Sequence, residues 1–265
     1  MTIPSQYATG TSKTDIERAL VAAGKDLDRL EVADLAMLED YHTSGRLATA
    51  QLADLVGLTA ESKVLDAGTG IGGTARYVAD RFGCAVTAVD LVDDYCETAR
   101  WLNRLVGLDG RIVVRQADVT ALPFADSSYD VMFSQHVQMN VPRKDSLYQE
   151  SRRVLTTGGQ LAIWDITAGE GELDYPLPWA DVPEHTHLVT PSALRAAIES
   201  AGFTIEHWAD LTEQTAATMQ MVQSLPPNPL GLHAFVPNFR ARVAHLTEAL
   251  SDGRLHTIRA VARAS

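Results

Sequence analysis

Acidic residues in the first half of the chain recur at the ends of apolar runs. Asp66 follows Val64-Leu65, Asp90 follows Ala85-Val86-Thr87-Ala88-Val89, and Asp118 stands a few residues after Ile112-Val113-Val114. A carboxylate in such a place accepts two hydrogen bonds at once, which suits a vicinal diol or an amino group. Asp66 opens the segment Asp66-Ala67-Gly68-Thr69-Gly70-Ile71-Gly72-Gly73. Its glycines permit positive φ and close approach of the backbone to a ligand, and the N–H groups of a helix starting there suit a polar or anionic group. Asp66 is also placed to cap that turn. Gly68, Gly70 and Gly73 satisfy the G-x-G-x-x-G pattern of dinucleotide sites, with Asp90 at about the distance of the ribose-binding acid. A nucleoside-containing ligand is the chemistry these residues predict.

Other groups are suited to the reaction itself. His136, in Ser134-Gln135-His136-Val137-Gln138-Met139-Asn140, has the intrinsic pKa of a general base near neutrality, although a packing role and several polar neighbours stand beside that reading. Glu170, between Gly169 and Gly171, is a second catalytic candidate that would hold an amine or take a proton; the same glycines suit an exposed loop. Tyr175 and Trp179 are candidate substrate contacts, the Trp179 face being suited to a cation or an apolar ring, or simply to packing. Tyr41 and His42, beside Gly45, either close over the site from the N-terminal side or end a helix.

The elements that must position these groups are legible in the hydrophobic periodicity. Strands are expected at Val64-Leu65, 85–89, 112–114, 131–133 and 160–164, with helices at 74–79, 95–105 and around 150–155. Thr190 is a candidate cap with Pro191 at the first helical position of a helix reaching Gly202. Strands follow at 203–208 and 255–261. Between them, Pro226-Pro227-Asn228-Pro229 separates one helix near 219–222 from another over roughly 238–250. Ahead of the glycine turn, the start through Gly10-Thr11-Ser12 reads as polar and loose, and short amphipathic helices are expected from Thr14 and around 47–56. The stretch from Asp165 to Thr190 has no clear period and is too long for a simple connector, so it reads as an ordered substrate lid.

The division expected is one domain over 1–265: an N-terminal helical cap over 1–58, a core over 60–166, a lid loop over 167–190, and a C-terminal part over 191–265 with a helical insertion near 213–252. A chain of 265 residues can bury a sizeable core. Its formal charge of −12 offers no basic stripe to nucleic acid or an anionic membrane. With no apolar run of spanning length and no leader-like start, the expected location is the cytoplasm. Cys84 and Cys96 form no CxxC pair and have no histidine at ligand spacing, so no metal is expected.

The order Asp66-x-Gly68-x-Gly70, Asp90, Asp118 before Leu122-Pro123-Phe124, Asp130 before an apolar strand, and Leu155-x-x-Gly158-Gly159 resembles the class I S-adenosylmethionine-dependent methyltransferases over roughly residues 60–166. Within them the chain is most similar to the small-molecule branch of sarcosine and dimethylglycine, tocopherol and quinone-pathway enzymes. The resemblance implies an α/β, Rossmann-like fold: a mostly parallel seven-stranded sheet with helices on both faces, N-terminal helical additions, and a substrate lid after the fifth strand. It implies S-adenosylmethionine as cofactor, with Gly68, Gly70 and Gly72 approached by its methionine part and ribose, and Asp66 orienting that region. Asp90 would take the ribose hydroxyls, Asp118 beside Val119 the adenine amino group, Leu91 would pack on the base, and Ser134 would complete the set. The reaction implied is methyl transfer to N, C or O of a small-molecule acceptor. The lid's aromatic residues hint at an acceptor with apolar surface, aromatic, isoprenoid or polyketide-like. A nicotinamide-dependent oxidoreductase and a non-catalytic nucleoside-binding protein are the other classes that the glycine turn allows.

Overall fold

A computed structural model of the chain describes Tyr7, residues 9–226 and residues 228–265; Pro227, in the proline break, and most of the N-terminal start lie outside the described residues. Seven strands form one sheet: β1 Lys63–Ala67, β2 Ala85–Asp90, β3 Ile112–Gln116, β4 Tyr129–Gln135, β5 Leu155–Ala168, β6 Phe203–Asp210 and β7 Leu255–Ala264. Their order is β3-β2-β1-β4-β5-β7-β6. All neighbours pair in parallel except β7, which runs antiparallel to both β5 and β6. Parallel strands covered on both faces must be apolar almost throughout, and β1 obeys this with only Lys63 exposed.

Helices cover both faces. On one face, α2 (Gly45–Ala53), α3 (Gly73–Phe82) and α4 (Asp93–Leu105) pack Leu52, Val78 and Ala99 against Phe133 and Trp164. On the other, α5 (Lys144–Val154) and α6 (Pro191–Ser200) bury Leu147, Tyr148, Leu194 and Ile198 against Met132 and Leu161. The opposite allegiances of Met132 and Phe133 follow from the alternation of side chains along a strand. Helix α6 starts as its sequence predicts: the Thr190 hydroxyl accepts the N–H of Ala193 at 3.3 Å and Pro191 occupies the first turn.

The sheet runs outward from β1 in two directions, to β2 on one side and to β4 on the other. That reversal of strand order opens a crevice at the carboxyl ends of β1 and β4, where open α/β sheets bind ligands. Two further layers roof it. The N-terminal layer joins α1 (Ser12–Ala22) and the short turns Leu27–Arg29 and Val32–Leu35 to Ile71, Tyr95 and Phe235. Ser12, expected to be loose, is fully buried, with its hydroxyl donating to Asp94 at 2.5 Å. The second layer packs the 173–188 segment against α7 (Thr212–Ser224) and α8 (Phe239–Ser251), the two helices inserted between β6 and β7. It is tied down by the N–H of His187 donating to the Met139 carbonyl (2.8 Å) and by Arg242 donating to the Leu177 carbonyl (2.7 Å). No helix among the described residues is long and apolar enough to cross a membrane.

Candidate active site

A cavity of about 500 Å³ lies over the carboxyl ends of β1, β2 and β4. Its floor is the glycine turn after β1, with Gly68, Thr69, Gly70 and Ile71 in the wall. Asp66, Asp90, Leu91, Asp118, Val119 and His136 also line it. Each carboxylate arrives there by a local device. Asp90 ends β2 and accepts the N–H of Gly70 on one oxygen (2.8 Å) and that of Val92 on the other (2.9 Å). Both oxygens keep a lone pair, which is what a diol needs. Asp118 folds back on its own turn: one oxygen takes the Thr120 N–H (2.8 Å) and hydroxyl (2.7 Å), and the other has no donor among the described residues. Asp66 holds the Thr69 hydroxyl, and burial pushes its carboxyl up to about 7.

Gly72 does not line the cavity. It takes φ +94° at the start of α3, and a Cβ there would meet Arg76 Nη1 at 2.8 Å and Ala99 Cβ at 3.3 Å, so its smallness serves packing. Next to it, a Cβ on Gly73 would come within 2.2 Å of an Asp40 oxygen. The chain before α2 is thus pressed onto the first turn of α3, and this brings Glu39, Asp40, Tyr41 and His42 into the wall.

Buried polar networks hold that N-terminal strip. Glu39 pairs with Arg46 and, at 2.8 Å, with Arg76, which is itself fully buried and also donates to Asn103 and the Ile71 carbonyl. Asp40 is 7% exposed, with the neutral ring of His42 at 3.7 Å from its carboxyl, and burial pushes that carboxyl up to about 6 against the pull of Arg46 and Arg76. The Gln135 amide donates to His42 Nε2 at 2.9 Å, while its carbonyl accepts the Thr74 hydroxyl at 3.0 Å. Burial lowers His42 to about 4.

His136 lies in the cavity wall at φ +54°, a backbone conformation uncommon for a side-chain-bearing residue and more frequent at functional sites. Trp164 Nε1 donates to Thr43 Oγ1 (2.9 Å), which lies 3.0 Å from His136 Nε2. The Thr43 backbone N–H also donates to Nε2, at 3.3 Å. A ring nitrogen that accepts these donors carries no hydrogen, so the neutral ring holds its proton on Nδ1. Burial and the neighbouring His42 keep the ring's pKa well below the ordinary histidine value.

Besides Gly72, four predicted residues stay outside the cavity. Ser134 is 3% exposed within β4; strand alternation turns it to the face opposite Gln135, and Gln135 is the one that lines the site. Glu170 is exposed because β5 runs on to Ala168, paired with Leu255, and Gly169 then bonds the Arg254 carbonyl. Its loop is therefore pinned to the outer end of β7. Trp179 is 1% exposed in the lid's own core, with Nε1 donating to Thr186 Oγ1 at 2.7 Å, and Tyr175 packs at the edge of the same cluster. The lid reaches the cavity through Glu184, His185 and His187 instead. Tyr7, Asn140 and Phe235 also line it. Apart from the polar run before Gly45, nothing in the periodicity of the sequence singles these residues out.

Residues 65–163 match the family model described as a methyltransferase domain. A 191-residue stretch is 32% identical to "Methyltransferase GfsG" of Streptomyces halstedii, covering 70% of this chain and 68% of that protein. The chain belongs to the class I S-adenosylmethionine-dependent methyltransferases. The methyltransferase is also 32% identical over 165 residues to a sarcosine/dimethylglycine N-methyltransferase of Halorhodospira halochloris, 58% of this chain and 56% of that one, so it spans little more than half of that relative's length. Its fold matches a geranyl diphosphate C-methyltransferase from Streptomyces coelicolor A3(2) with TM-score 0.69 at 19% identity, over 83% of this chain and 79% of the other. The cofactor is accordingly S-adenosylmethionine, not a nicotinamide dinucleotide. The donor set fits it: both Asp90 oxygens and one Asp118 oxygen retain accepting capacity, and a Cβ on Gly70 would meet nothing within 4 Å.

Proposed function

We propose that this methyltransferase transfers a methyl group to N, C or O of a small-molecule metabolite held between the sheet edge and the 183–187 segment. The observation that carries the reading is the set of carboxylates Asp66, Asp90 and Asp118 around one 500 Å³ cavity. S-adenosylmethionine supplies, when bound, an already electrophilic methyl on a sulfonium, so the protein's task is alignment and exclusion of water. Asp90 holds the ribose diol, Asp118 the adenine amino group, and Leu91 and Val119 pack on the base. Asp40, raised only to about 6 and so mostly ionised at pH 7, gives the opposite wall a negative character that favours a cationic donor.

His136 serves here as a hydrogen-bond donor that positions the acceptor, in place of the general base expected from its sequence context, because Thr43 occupies its Nε2. The N-terminal layer and the lid close the cavity, and the enzyme acts in the cytoplasm on a secondary metabolite. Calorimetry tests the reading: S-adenosylhomocysteine should bind and NAD should not. Transfer of tritium from methyl-labelled S-adenosylmethionine across a metabolite panel separates an enzyme from a binding protein; NAD binding without S-adenosylhomocysteine binding would reverse the assignment.

A further inference from the structure

The cavity has an unusual charge inventory. Six of its lining residues are acids: Glu39, Asp40, Asp66, Asp90, Asp118 and Glu184. None is lysine or arginine. No residue outside the described ones is lysine or arginine either, so every basic side chain of the chain has a described position.

The cations closest to the site are committed elsewhere. Lys144 sits behind the acceptor end, but its ammonium donates to the carbonyls of Gln138 (2.6 Å), His187 (2.6 Å) and Val141, which uses all three of its hydrogens. Arg242 is spent on the carbonyls of Pro237 (2.9 Å) and Leu177 (2.7 Å) and on Asp181. Arg46 and Arg76 both face Glu39. The two wall histidines with perturbed and buried rings, His42 and His136, are neutral at pH 7, so neither adds positive charge. Besides Glu184, His185 and His187 of the lid, the acceptor end is lined by the apolar or uncharged Val137, Val141, Pro142, Asn140 and Phe235.

We infer that the acceptor presents apolar or uncharged surface to this end of the cavity and bears no phosphate, diphosphate or carboxylate near its reacting atom. An anion entering this chamber would give up its hydration, find no lysine or arginine to pair with, and face the carboxylates of Asp40, Asp90, Asp118 and Glu184. A neutral acceptor loses little by the same transfer and gains the apolar contacts. The inference rests on the methyltransferase reading of this cavity and sets it apart chemically from the structural relative crystallised with geranyl diphosphate and Mg²⁺.

The test uses the intact protein and matched pairs of probes: geraniol with geranyl diphosphate, and methyl caffeate with caffeate. Calorimetry first measures S-adenosylhomocysteine alone, and failure there removes the cofactor reading rather than the acceptor inference. Each pair is then titrated into protein with and without saturating S-adenosylhomocysteine. At least one neutral member should bind, at least tenfold more tightly than its anionic partner. Glu184→Gln, at an exposed position of the cavity mouth, should narrow that gap while leaving S-adenosylhomocysteine affinity unchanged. Anions that bind as tightly as their neutral partners, or a panel in which no neutral member binds at millimolar concentration, would overturn the inference.

Discussion

The sheet edge and the roof of the cavity are built on different principles. At the edge, Asp90 and Asp118 are held by backbone N–H groups two residues further on, with Gly70 adding one donor across the turn. Each carboxylate carries its own support, set by local chain geometry. The roof is held by side chains that meet from far apart in sequence: Tyr41 donates to the Pro178 carbonyl at 2.8 Å, Trp164 to Thr43, and Arg76 to Glu39. A local device survives the loss of a distant partner, whereas a long-range network fails as a unit. The edge is therefore the fixed part of the site and the roof is the part that depends on the whole fold.

The largest effect expected from breaking this contrast falls on the roof. Glu39→Ala leaves Arg76 buried without its carboxylate and should cost about 3–5 kcal/mol of stability in urea unfolding. A loss below 1 kcal/mol would mean that the Arg76–Asn103 and Arg76–Ile71 bonds suffice on their own. Next comes the edge. Asp90→Ala removes the diol acceptor and orphans the N–H groups of Gly70 and Val92, so S-adenosylhomocysteine affinity should fall roughly 100-fold, at about 1.5–3 kcal/mol for each charged hydrogen bond. The same change should move the melting temperature far less than Glu39→Ala does; an equal shift in both variants would erase the distinction between edge and roof.

Thr43→Val tests whether the roof positions the reacting groups. Loss of one neutral hydrogen bond to His136 should lower kcat roughly fivefold while cofactor affinity stays unchanged. Nitrogen NMR of histidine-labelled wild-type protein should show His136 protonated on Nδ1, and an Nε2–H ring would contradict the arrangement directly.

The pH dependence of stability follows from buried groups of both regions. Burial raises Asp66 and Asp165 to about 7. Between about pH 4 and 7 the folded state then binds more protons than the unfolded chain, and the stability these carboxyls contribute is lost as pH rises. His42, lowered to about 4, and His136, lowered further, act in the opposite sense below about 6.5, where the unfolded chain takes up protons that the folded rings refuse. Above 6.5 the carboxyls act against the last protons of the unfolded-state histidines and against Lys144, whose ammonium burial lowers to about 8, so the melting temperature of the ligand-free enzyme should decline by only about a degree between pH 6.5 and 7.5. A rising profile would show that Asp66 and Asp165 are already ionised. The smallest effect belongs to Glu170→Gln, which should leave methyl transfer within about twofold, since the residue is exposed at the β5–β7 end.

The strands and helices of the core were legible because each has a period or a cap of its own. The run Val64-Leu65 became β1, and Thr190-Pro191 opened α6. The resemblance to class I methyltransferases was legible for the same reason, as its motifs lie at the ends of consecutive elements. The edge residues Asp66, Gly68, Gly70, Asp90, Leu91, Asp118 and Val119 share one cavity because parallel strands put their carboxyl ends side by side. Ser134 was misplaced by a single residue of strand alternation. Glu170 and Trp179 were misplaced because the length of β5 and the packing of the lid are set by β7, α7 and α8, all later in the chain.

By itself, then, the order of residues determined the βα units, the glycine turn and the acids that follow each strand, since all of these are decided within a few residues by sterics and hydrogen bonding. Tertiary structure alone decided the roof: which tyrosine and histidine of the N-terminal strip face the cavity, which nitrogen of His136 is occupied by Thr43, and that every nearby cation is already engaged. Those facts depend on partners up to 137 residues apart, and no local pattern encodes a contact that exists only once two distant layers have packed.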